Sequence, residues 1–350
     1  MMLKFSEICE NIAAVSSKLE KVKILAAYLK TLNDEDLNYA SVYFTGAAFA
    51  ARDPRTLNLG GQMIKKALAQ TVNFTTEEEL KKLDEFSLKF SEPGELAEFI
   101  LEKYRKNPNA LNDFSIIKTE KFFNSIYETK GSIAKVSLLA ELYLILNPLI
   151  AKYVTKILAG DLRIGLKEAS VEDALAQAFE EKATDVKTAN MLIGDIGEVA
   201  KKTKNHDLQN IELTPFWPVK AMLATPAEDD EEIIKRMGDE LWVEDKYDGV
   251  RCQVHKFGDE IKLFSRDQNE ITKQFPEIVD YMKAVKHDII LDGEIMAFRN
   301  GEIMRFFFLQ QRLGRKDLMR EYQTKEEIEN KVAKGELKDG KVKTILMRRS

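Results

Sequence analysis

Cysteine, histidine and long apolar runs are scarce in this chain, and each shortage excludes a class of protein. The 350 residues include two cysteines, Cys9 and Cys252, and three histidines. The cysteines stand far apart without a C-x-x-C pair, which indicates a reducing compartment and excludes a disulfide framework and a cysteine-based zinc site. The histidines are scattered at His206, His255 and His287, so no histidine metal cage is expected.

No stretch of about 18 or more apolar residues occurs, so we expect no membrane span. The N-terminal segment MMLKFSEICENIAAVSSKLEK is typical of an amphipathic helix and lacks the apolar region and cleavage site of a signal peptide. The formal net charge is −5, so nucleic-acid binding cannot be inferred from a basic composition. The charge is also no evidence against such binding, which depends on where the lysines and arginines lie.

The first 210 residues carry a helical pattern with little strand-like alternation. In KGSIAKVSLLAELYLILNPLIAKYVTKILAG, apolar residues recur at helical spacing, and Pro148 is expected to end or kink the helix near Asn147. In SVEDALAQAFEEKA, Ser170 stands three residues before Asp173, which resembles the capping box that begins a helix. The pattern predicts an all-α domain over residues 1–210.

The segment LTPFWPVKAMLATPAEDDEE changes the character of the chain. Three prolines, Pro215, Pro218 and Pro226, disfavour a helix here, and an acidic run follows them. We interpret residues 211–227 as a linker and lead-in between the helical domain and a second domain.

Beyond the linker the apolar pattern has a period of two, which is typical of strands. In VRCQVHK, Val250, Cys252 and Val254 face one way, and IKLFSR and DIILDGEIMAF indicate further strands around a helix, FPEIVDYMKAVK. The pattern predicts an α+β domain with an antiparallel sheet over residues 228–316. Residues 317–350 are charged and weakly periodic, and we expect a short exposed helix and a loosely ordered tail there.

The segment EDKYDGVR contains residue types that suit a nucleotide-modifying site. A lysine becomes nucleophilic where its surroundings favour the neutral amine, and Lys246 stands just before a turn at Asp248 and Gly249. Glycine allows a positive φ or a close backbone approach to a ligand. Arg251, on the face opposite Val250, can hold a phosphate or a ribose. The alternative is a surface hairpin with an ordinary D-G turn.

Three later segments supply other groups that bind a nucleotide. FSRDQNEIT places Arg266 at the end of a strand, LDGEIMAF places Glu294 within a strand, and MRFFFLQQRLGRK places Phe306 before a basic run. Cations suit phosphates, a carboxylate suits ribose or a metal, and an aromatic ring stacks on a base. Each residue also has a simpler explanation, with Phe306 in the core and Glu294 at a strand edge.

In order and spacing, these segments resemble the motifs of the ATP-dependent DNA ligases, a family of the covalent nucleotidyltransferase superfamily. EDKYDGVR resembles the first motif, and FSRDQNEIT, LDGEI and FFFLQQRLGRK resemble the next three. TGAAFAARDPRTLNLGG and LAGDLRIGLKEASVEDALAQAF resemble the helical DNA-binding domain that precedes the catalytic core in one branch of the family. PVKAMLA resembles the lead-in to that core, with Ala221 where proline is usual. The resemblance extends to about Lys316.

The resemblance implies a role for each matching residue. Lys246 would attack the α-phosphate of ATP and carry AMP as a phosphoramidate. The nucleotide would be bound by Glu244 at the adenine edge, Arg251 and Arg266 at ribose or phosphate, Glu294 at the ribose or Mg²⁺, and Phe306 by stacking on adenine. AMP would then pass to the 5′-phosphate of a nick, and the 3′-hydroxyl would expel it.

The resemblance also implies contacts between the helical domain and nicked double-stranded DNA. Glycines between helices let backbone N–H groups and helix N-termini approach phosphates, and arginine suits a minor groove. The candidates in GDLRIGL and RDPRTLNLGG are Gly160, Arg163, Gly165, Arg52, Arg55, Gly60 and Gly61. The alternative is that these residues form tight turns between packed helices.

The resemblance stops after Lys316, where an E-G motif, a K-x-K strand and an OB-fold domain would be expected. KVKTIL contains K-x-K but lacks the apolar lead-in, and we interpret it as a coincidence. We therefore expect a multidomain chain with only part of the adenylation domain, a truncated ligase whose nick sealing is weak or absent.

Two other hypotheses stay open. The first is a DNA-binding module without catalysis, whose affinity would depend on salt and not on ATP. The second is an RNA ligase or capping-type nucleotidyltransferase, against which the GDLRIGL segment argues. The ligase hypothesis predicts ATP and Mg²⁺ as cofactors, a monomer without membrane association, a cytoplasmic location (with the nucleoid if prokaryotic), and roles in DNA replication, repair or recombination.

Overall fold

The computed structural model of the chain describes residues 1–106, 111–209, 211–221, 226–238, 240–243, 246–299, 302–304, 306–307, 309–310 and 343–348. The chain divides into two compact units, unit 1 with residues 1–212 and unit 2 with residues 213–350. Within the described ranges, no helix has the length and apolarity that crossing a membrane requires.

Unit 1 consists of helices in the part that the structure describes. In chain order these are α1 Met2–Ala13, α2 Lys18–Leu29, α3 Asp34–Phe44, α4 Gly61–Val72, α5 Glu77–Lys89, α6 Pro93–Tyr104, α7 Ile116–Glu128, α8 Ser132–Ile145, α9 Pro148–Leu158, α10 Glu168–Phe179, α11 Ala183–Ile193 and α12 Ile196–Lys204. Several begin with a side chain that accepts a hydrogen bond from the first turn, as Ser17, Asn33 and Thr76 do. These N-caps satisfy N–H groups that the helix cannot bond internally.

The break between α8 and α9 lies where Pro148 predicts it. Helix α8 ends at Ile145 and α9 begins with Pro148 itself. Asn147 caps α9, because its Oδ1 accepts a hydrogen bond from the backbone N–H of Leu149 at 2.9 Å. Proline lacks an N–H and suits the first turn of a helix, so the prediction from the sequence is confirmed.

The prediction that Ser170 begins a helix is wrong. Helix α10 begins at Glu168, and Lys167 occupies the N-cap position without a side-chain hydrogen bond. Ser170 lies in the first turn and is buried. Asp173 pairs with Lys187, with 2.8 Å between Oδ1 and Nζ, rather than with the start of the helix. The serine therefore marks a buried helical position where a small side chain fits.

Helices α6 and α9 are joined by a set of ion pairs that we call the α6–α9 ion network: Glu10, Glu95, Glu98, Lys152 and Lys156. Lys152 Nζ lies 2.6 Å from Glu10, 3.1 Å from Glu95 and 3.0 Å from Glu98. Lys156 Nζ lies 3.0 Å from Glu95. Burial would lower the pKa of Lys152, but its hydrogen bonds to Glu10 and Glu98 outweigh burial and raise that pKa. Lys152 therefore stays charged in the interior of unit 1.

Unit 2 combines short helices with a sheet. Its described elements are α13 Asp230–Met237, β1 Val250–Phe257, β2 Glu260–Ser265, a 3-10 turn Thr272–Gln274, α14 Pro276–Lys283, β3 Ile289–Arg299, β4 Glu302–Ile303 and β5 Lys343–Arg348. Strand β1 pairs with β2 and β3, and β3 pairs with β4 and β5, all antiparallel. The predicted fold class, a helical unit followed by an α+β unit with an antiparallel sheet, is confirmed.

One face of this sheet forms the core of unit 2. Val250, Cys252 and Val254 are buried there with Ile278 and Met282 of α14. This is the alternation that the sequence predicts, because successive strand residues face opposite sides of a sheet. Burial raises the pKa of the Cys252 thiol to about 12, so the thiol stays protonated and packs as a small apolar group.

Two predicted segments differ from the structure. Residues 216–219 of the predicted linker pack on the second face of the sheet through hydrogen bonds to side chains of β1. The prolines of this segment prevent a helix, but they do not prevent such packing. Residues 343–348 of the predicted loose tail form β5 against β3. The β-branched pair Thr344 and Ile345 favours a strand. The rest of the predicted tail, residues 317–342 and 349–350, lies outside the described residues.

Candidate functional site

Polar side chains share the second face of the sheet along β1 and β3. Arg251 and Glu294 are cross-strand partners, and so are Gln253 and Asp292. Cross-strand partners lie on the same face, and His255 follows at the same period along β1. We call the surface formed by Arg251, Gln253, His255, Asp292 and Glu294 the polar face.

The segment with Lys246 meets β3 at Gly249. Lys246 is exposed and stands four residues before the start of β1. A Cβ atom at Gly249 would lie 2.4 Å from the carbonyl oxygen of Ile295 and 2.8 Å from Cγ of Glu294. Only a residue without Cβ allows this approach. The close contact therefore brings the backbone of the predicted AMP-accepting segment against the predicted ribose or metal carboxylate.

Arg251 forms a two-pronged ion pair with Asp292. Its Nε donates to Oδ1 at 3.0 Å and its Nη2 donates to Oδ2 at 2.6 Å. The sequence predicted Arg251 as a ribose or phosphate ligand, and among the described residues Asp292 occupies Nε and Nη2 but not the donors of Nη1. Asp292 was not predicted, although it stands two residues from Glu294 and therefore on the same face of the strand. That spacing is the signal that could have identified it.

The other predicted nucleotide-binding residues differ in exposure. Glu294 is only 6% exposed. Arg266 is exposed and directly follows the last residue of β2. Phe306 is partly buried and packs against the apolar core of unit 2. This contact agrees with the alternative that Phe306 is a core residue. Glu244, predicted to bind the adenine edge, lies outside the described residues.

The second half of the polar face is covered by residues 214–219, which we call the lead-in strap. Gln253 Oε1 accepts from the N–H of Val219 at 2.9 Å, and Gln253 Nε2 donates to the carbonyl of the same residue. His255 Nδ1 accepts from the N–H of Phe216 at 3.0 Å. The sequence analysis interpreted this segment as a linker and lead-in, and nothing in its proline-rich pattern indicated these contacts.

His255 is held neutral by its surroundings. It is 0% exposed, and its ring meets the ring of Phe264 edge-on with centroids 5.0 Å apart. Burial lowers the pKa of His255 to about 4. Because Nδ1 accepts a hydrogen bond, the proton of the neutral ring is on Nε2.

In unit 1, the predicted DNA-contacting loop around Gly160, Arg163 and Gly165 has a left-handed backbone at all three positions, with φ of 83°, 51° and 72°. The side chain of Arg163 is 51% exposed, and its Nη1 lies 3.7 Å from Glu92. A Cβ atom at Gly165 would lie 2.4 Å from Nζ of Lys21. Lys21 in turn donates to the carbonyl of Ile164 at 2.6 Å. The loop therefore has a fixed conformation with an exposed arginine.

The arginines of the second predicted loop have partners inside unit 1. Arg52 pairs with Asp195, with 3.0 Å between Nη2 and Oδ2. Arg55 donates to Asp53 and to Asn124, and its guanidinium lies 4.1 Å from the ring centre of Phe49. These contacts agree with the alternative that this loop is a structural turn. Gly60 and Gly61, by contrast, begin α4 in an exposed position with open space around both.

Comparison with protein families gives two matches. The family described as DNA ligase N terminus matches residues 1–176, and the family described as ATP dependent DNA ligase domain matches residues 221–334. The first match covers half of the chain, and the second contains Lys246 and the other predicted nucleotide-binding residues.

Relatives of the chain carry the same description along its length. A "Probable DNA ligase" from Koribacter versatilis is 35% identical over 317 residues, which is 91% of this chain and 54% of the relative. A "Probable DNA ligase" from Opitutus terrae is 34% identical over 89% of this chain and 37% of the relative. A "DNA ligase" from Archaeoglobus fulgidus is 32% identical over 90% of this chain and 58% of the relative. The chain thus spans about half the length of the relatives that it matches.

Proposed function

Because the chain belongs to the ATP-dependent DNA ligase family, we propose that it acts in sealing nicks in double-stranded DNA, with ATP as the source of AMP. The observation that carries the proposal is the contact of Gly249 with Glu294 and Ile295. It joins an exposed lysine segment to a polar face with an arginine and two carboxylates. Such a set of groups suits a nucleotide that reacts at its α-phosphate.

Lys246 is the proposed nucleophile. After its ammonium loses a proton, Nζ attacks the α-phosphorus of ATP, a P–N bond forms, and the P–O bond to pyrophosphate breaks. The 5′-phosphate at a nick then takes AMP from Lys246. In the last step the 3′-hydroxyl loses its proton and attacks the 5′-phosphate, and AMP leaves.

The polar face provides the proposed binding groups. Arg251, oriented by Asp292, would contact ribose or phosphate through its remaining donors, and exposed Arg266 would contact phosphate or the nicked strand. Phe306 would stack on adenine with the part of its ring that the core leaves free. Glu244 is proposed for the adenine edge from the resemblance alone.

The residues of the polar face fit Mg²⁺ as a partner of ATP. In the described part of the chain, no group of three or more histidine, cysteine, aspartate or glutamate side chains could hold a metal by itself. Mg²⁺ is commonly held by one or two carboxylates together with substrate phosphates, and Glu294 is the proposed carboxylate. When bound, Mg²⁺ would offset the negative charge of the phosphates.

Unit 1 is the proposed DNA-binding part. The match to the DNA ligase N terminus and the exposed Arg163 in a fixed loop support this role. The exposed start of α4 at Gly60 and Gly61 supports it as well, because backbone N–H groups at a helix start attract phosphate. Arg52 and Arg55 are proposed to hold the loop in place rather than to contact DNA.

The proposal is tested by measuring the intact mass of the purified protein after incubation with ATP and Mg²⁺. We expect the wild type to gain one AMP and Lys246→Ala to gain none, because alanine cannot form the P–N bond. Lys283→Ala is the matched control, since Lys283 is exposed on α14 and forms a local ion pair with Asp280. This control should gain AMP as the wild type does.

Other outcomes separate the remaining hypotheses. A gain of AMP by Lys246→Ala would overturn the proposed nucleophile. No gain in the wild type, together with DNA binding that weakens as salt rises, would support a DNA-binding module instead. A preference of the adenylated protein for RNA ends over nicked DNA would support the RNA ligase hypothesis.

A further inference from the structure

The lead-in strap is held on the polar face by side chains rather than by a neighbouring strand. Residues 214–219 form no helix or strand. Three side chains, Gln253, His255 and Gln268, bind four of its backbone groups: the N–H of Phe216, the N–H and C=O of Val219, and the C=O of Pro218. These hydrogen bonds are partly shielded from water, so the three side chains set the position of the strap.

Gln253 binds both backbone groups of a single strap residue. A primary amide has an acceptor and a donor side by side, as the backbone of an adjacent strand does. Gln253 uses its Oε1 for the N–H of Val219 and its Nε2 for the C=O. The residue is only 6% exposed, so water can hardly replace either hydrogen bond. An apolar side chain of the same length would leave both backbone groups of Val219 unsatisfied.

Gln253 also lies next to the candidate nucleotide-binding groups. It stands between Arg251 and His255 in the row of polar side chains along β1, and Asp292 is its cross-strand partner. Asp292 holds Arg251 by two hydrogen bonds. The strap that Gln253 binds is therefore fixed beside the Arg251–Asp292 pair, on the same face of the sheet.

We infer that Gln253 is a positioning residue for nucleotide binding, which fixes the lead-in strap as one wall of the site that receives a nucleoside triphosphate. The inference rests on the proposed function of the polar face. In this role Gln253 contacts the strap and not the reacting atoms. Its loss should therefore weaken the binding of ATP and leave the chemical step at saturating ATP nearly unchanged.

The first measurement is the affinity for ATP by equilibrium dialysis in the Lys246→Ala protein, where transfer of AMP cannot follow binding. We expect the additional substitution Gln253→Met to weaken ATP binding about tenfold, since two hydrogen bonds to the strap are lost. With Lys246 present, the rate of AMP transfer at saturating ATP should stay within about twofold to threefold of the wild type, so that KM rises while kcat is kept. Gln62→Met, an exposed glutamine of α4, is the matched control.

The second measurement follows the strap itself. The chain has two tryptophans, and Trp217 lies in the strap while Trp242 is exposed elsewhere in unit 2. In a Trp242→Phe background, the fluorescence anisotropy of Trp217 should fall in Gln253→Met, because a released strap moves more freely. Gln268 lies in a turn, and Gln268→Met removes its single hydrogen bond to the carbonyl of Pro218. This second variant should lower the anisotropy of Trp217 by a smaller amount, and it replaces Gln253→Met if that protein fails to fold.

The outcomes distinguish this inference from the proposed function. If Gln253→Met, or Gln268→Met in its place, releases Trp217 but binds ATP as tightly as its parent, the inference is overturned. A rate at saturating ATP that falls with unchanged affinity also overturns it. If the wild type gains no AMP but its ATP affinity still depends on Gln253, the proposed nucleotide transfer fails and the positioning role stands. Absence of any ATP binding overturns both.

Discussion

Gly249 is required by the neighbouring strand and not by an unusual backbone conformation. Its φ lies outside the left-handed region, which in the described part of the chain includes Gly46, Gly160 and Gly165. The sequence suggested either a positive φ or a close approach to a ligand. The structure shows a close approach to β3 instead, so the glycine serves the fold of the segment that contains Lys246.

Gly249→Ala is therefore expected to destabilise unit 2 by about 1–3 kcal/mol, because the new Cβ atom would overlap the carbonyl of Ile295 and one strand must move. Urea unfolding followed by circular dichroism measures the loss. Gly61→Ala is the control, since nothing lies within 4 Å of the Cβ position there. Equal stabilities of Gly249→Ala and the wild type would contradict the close contact.

At the residue scale, the sequence predicts reliably on which face of a strand a side chain lies. It predicts less reliably which residue that side chain contacts. The period of two places Arg251 opposite Val250, and the structure has it there. The spacing from Glu294 indicates that Asp292 shares this face, but its pairing with Arg251 depends on the register between two distant strands, which neither segment contains. Arg55 shows the same limit, since its partner Asn124 lies far along the chain in α7. The sequence of a glycine-containing loop does not distinguish an arginine that binds DNA from one that binds residues of its own domain.

At the scale of helices and strands, a boundary is predicted best where a single residue determines the backbone conformation. Pro148 places the break between α8 and α9 because proline cannot continue a helix. The start of α10 was wrong because Ser170 fits both a cap and a buried helical position, and only packing decides between them. Strand β5 was missed for a related reason, since residues 343–348 form a strand only where the edge of β3 is present to pair with them.

The α6–α9 ion network gives a prediction at this scale. Lys152→Met should lower the free energy of unfolding of unit 1 by about 1–3 kcal/mol, because the partly exposed carboxylates around it would lose their shared cation. Far-UV circular dichroism during urea unfolding measures the effect, since unit 1 holds most of the described helices. Lys66→Met, at an exposed position of α4, should change stability little. A similar effect of both substitutions would contradict a specific role of the network.

At the scale of the whole molecule, acid should affect the stability of unit 2 through its buried histidine, His255. The pKa of His255 is lowered to about 4 from its ordinary value of 6.5. Between these values the unfolded chain binds a proton that the folded chain does not, so the free energy of unfolding falls as the pH drops. The loss from this group is at most about 3 kcal/mol, at ~1.4 kcal/mol for each pKa unit.

The measurement is urea unfolding between pH 7 and pH 4, followed by tryptophan fluorescence, because Trp217 and Trp242 both belong to unit 2. His255→Asn is the control, since its side-chain oxygen can accept the hydrogen bond of Phe216 but cannot titrate in this range. We expect the wild type to lose stability more steeply than His255→Asn. Identical pH dependence of the two proteins would show that His255 does not titrate between the folded and unfolded states.

The α6–α9 ion network also has a consequence for the response of the molecule to heat. The cost of removing charged groups from water falls as temperature rises, whereas the benefit of burying apolar surface levels off. On warming, the ion pairs of Lys152 with its surrounding carboxylates should therefore contribute more to stability, relative to the apolar core of unit 2. The ion network should therefore contribute a larger share of the stability of unit 1 at high temperature than at low temperature.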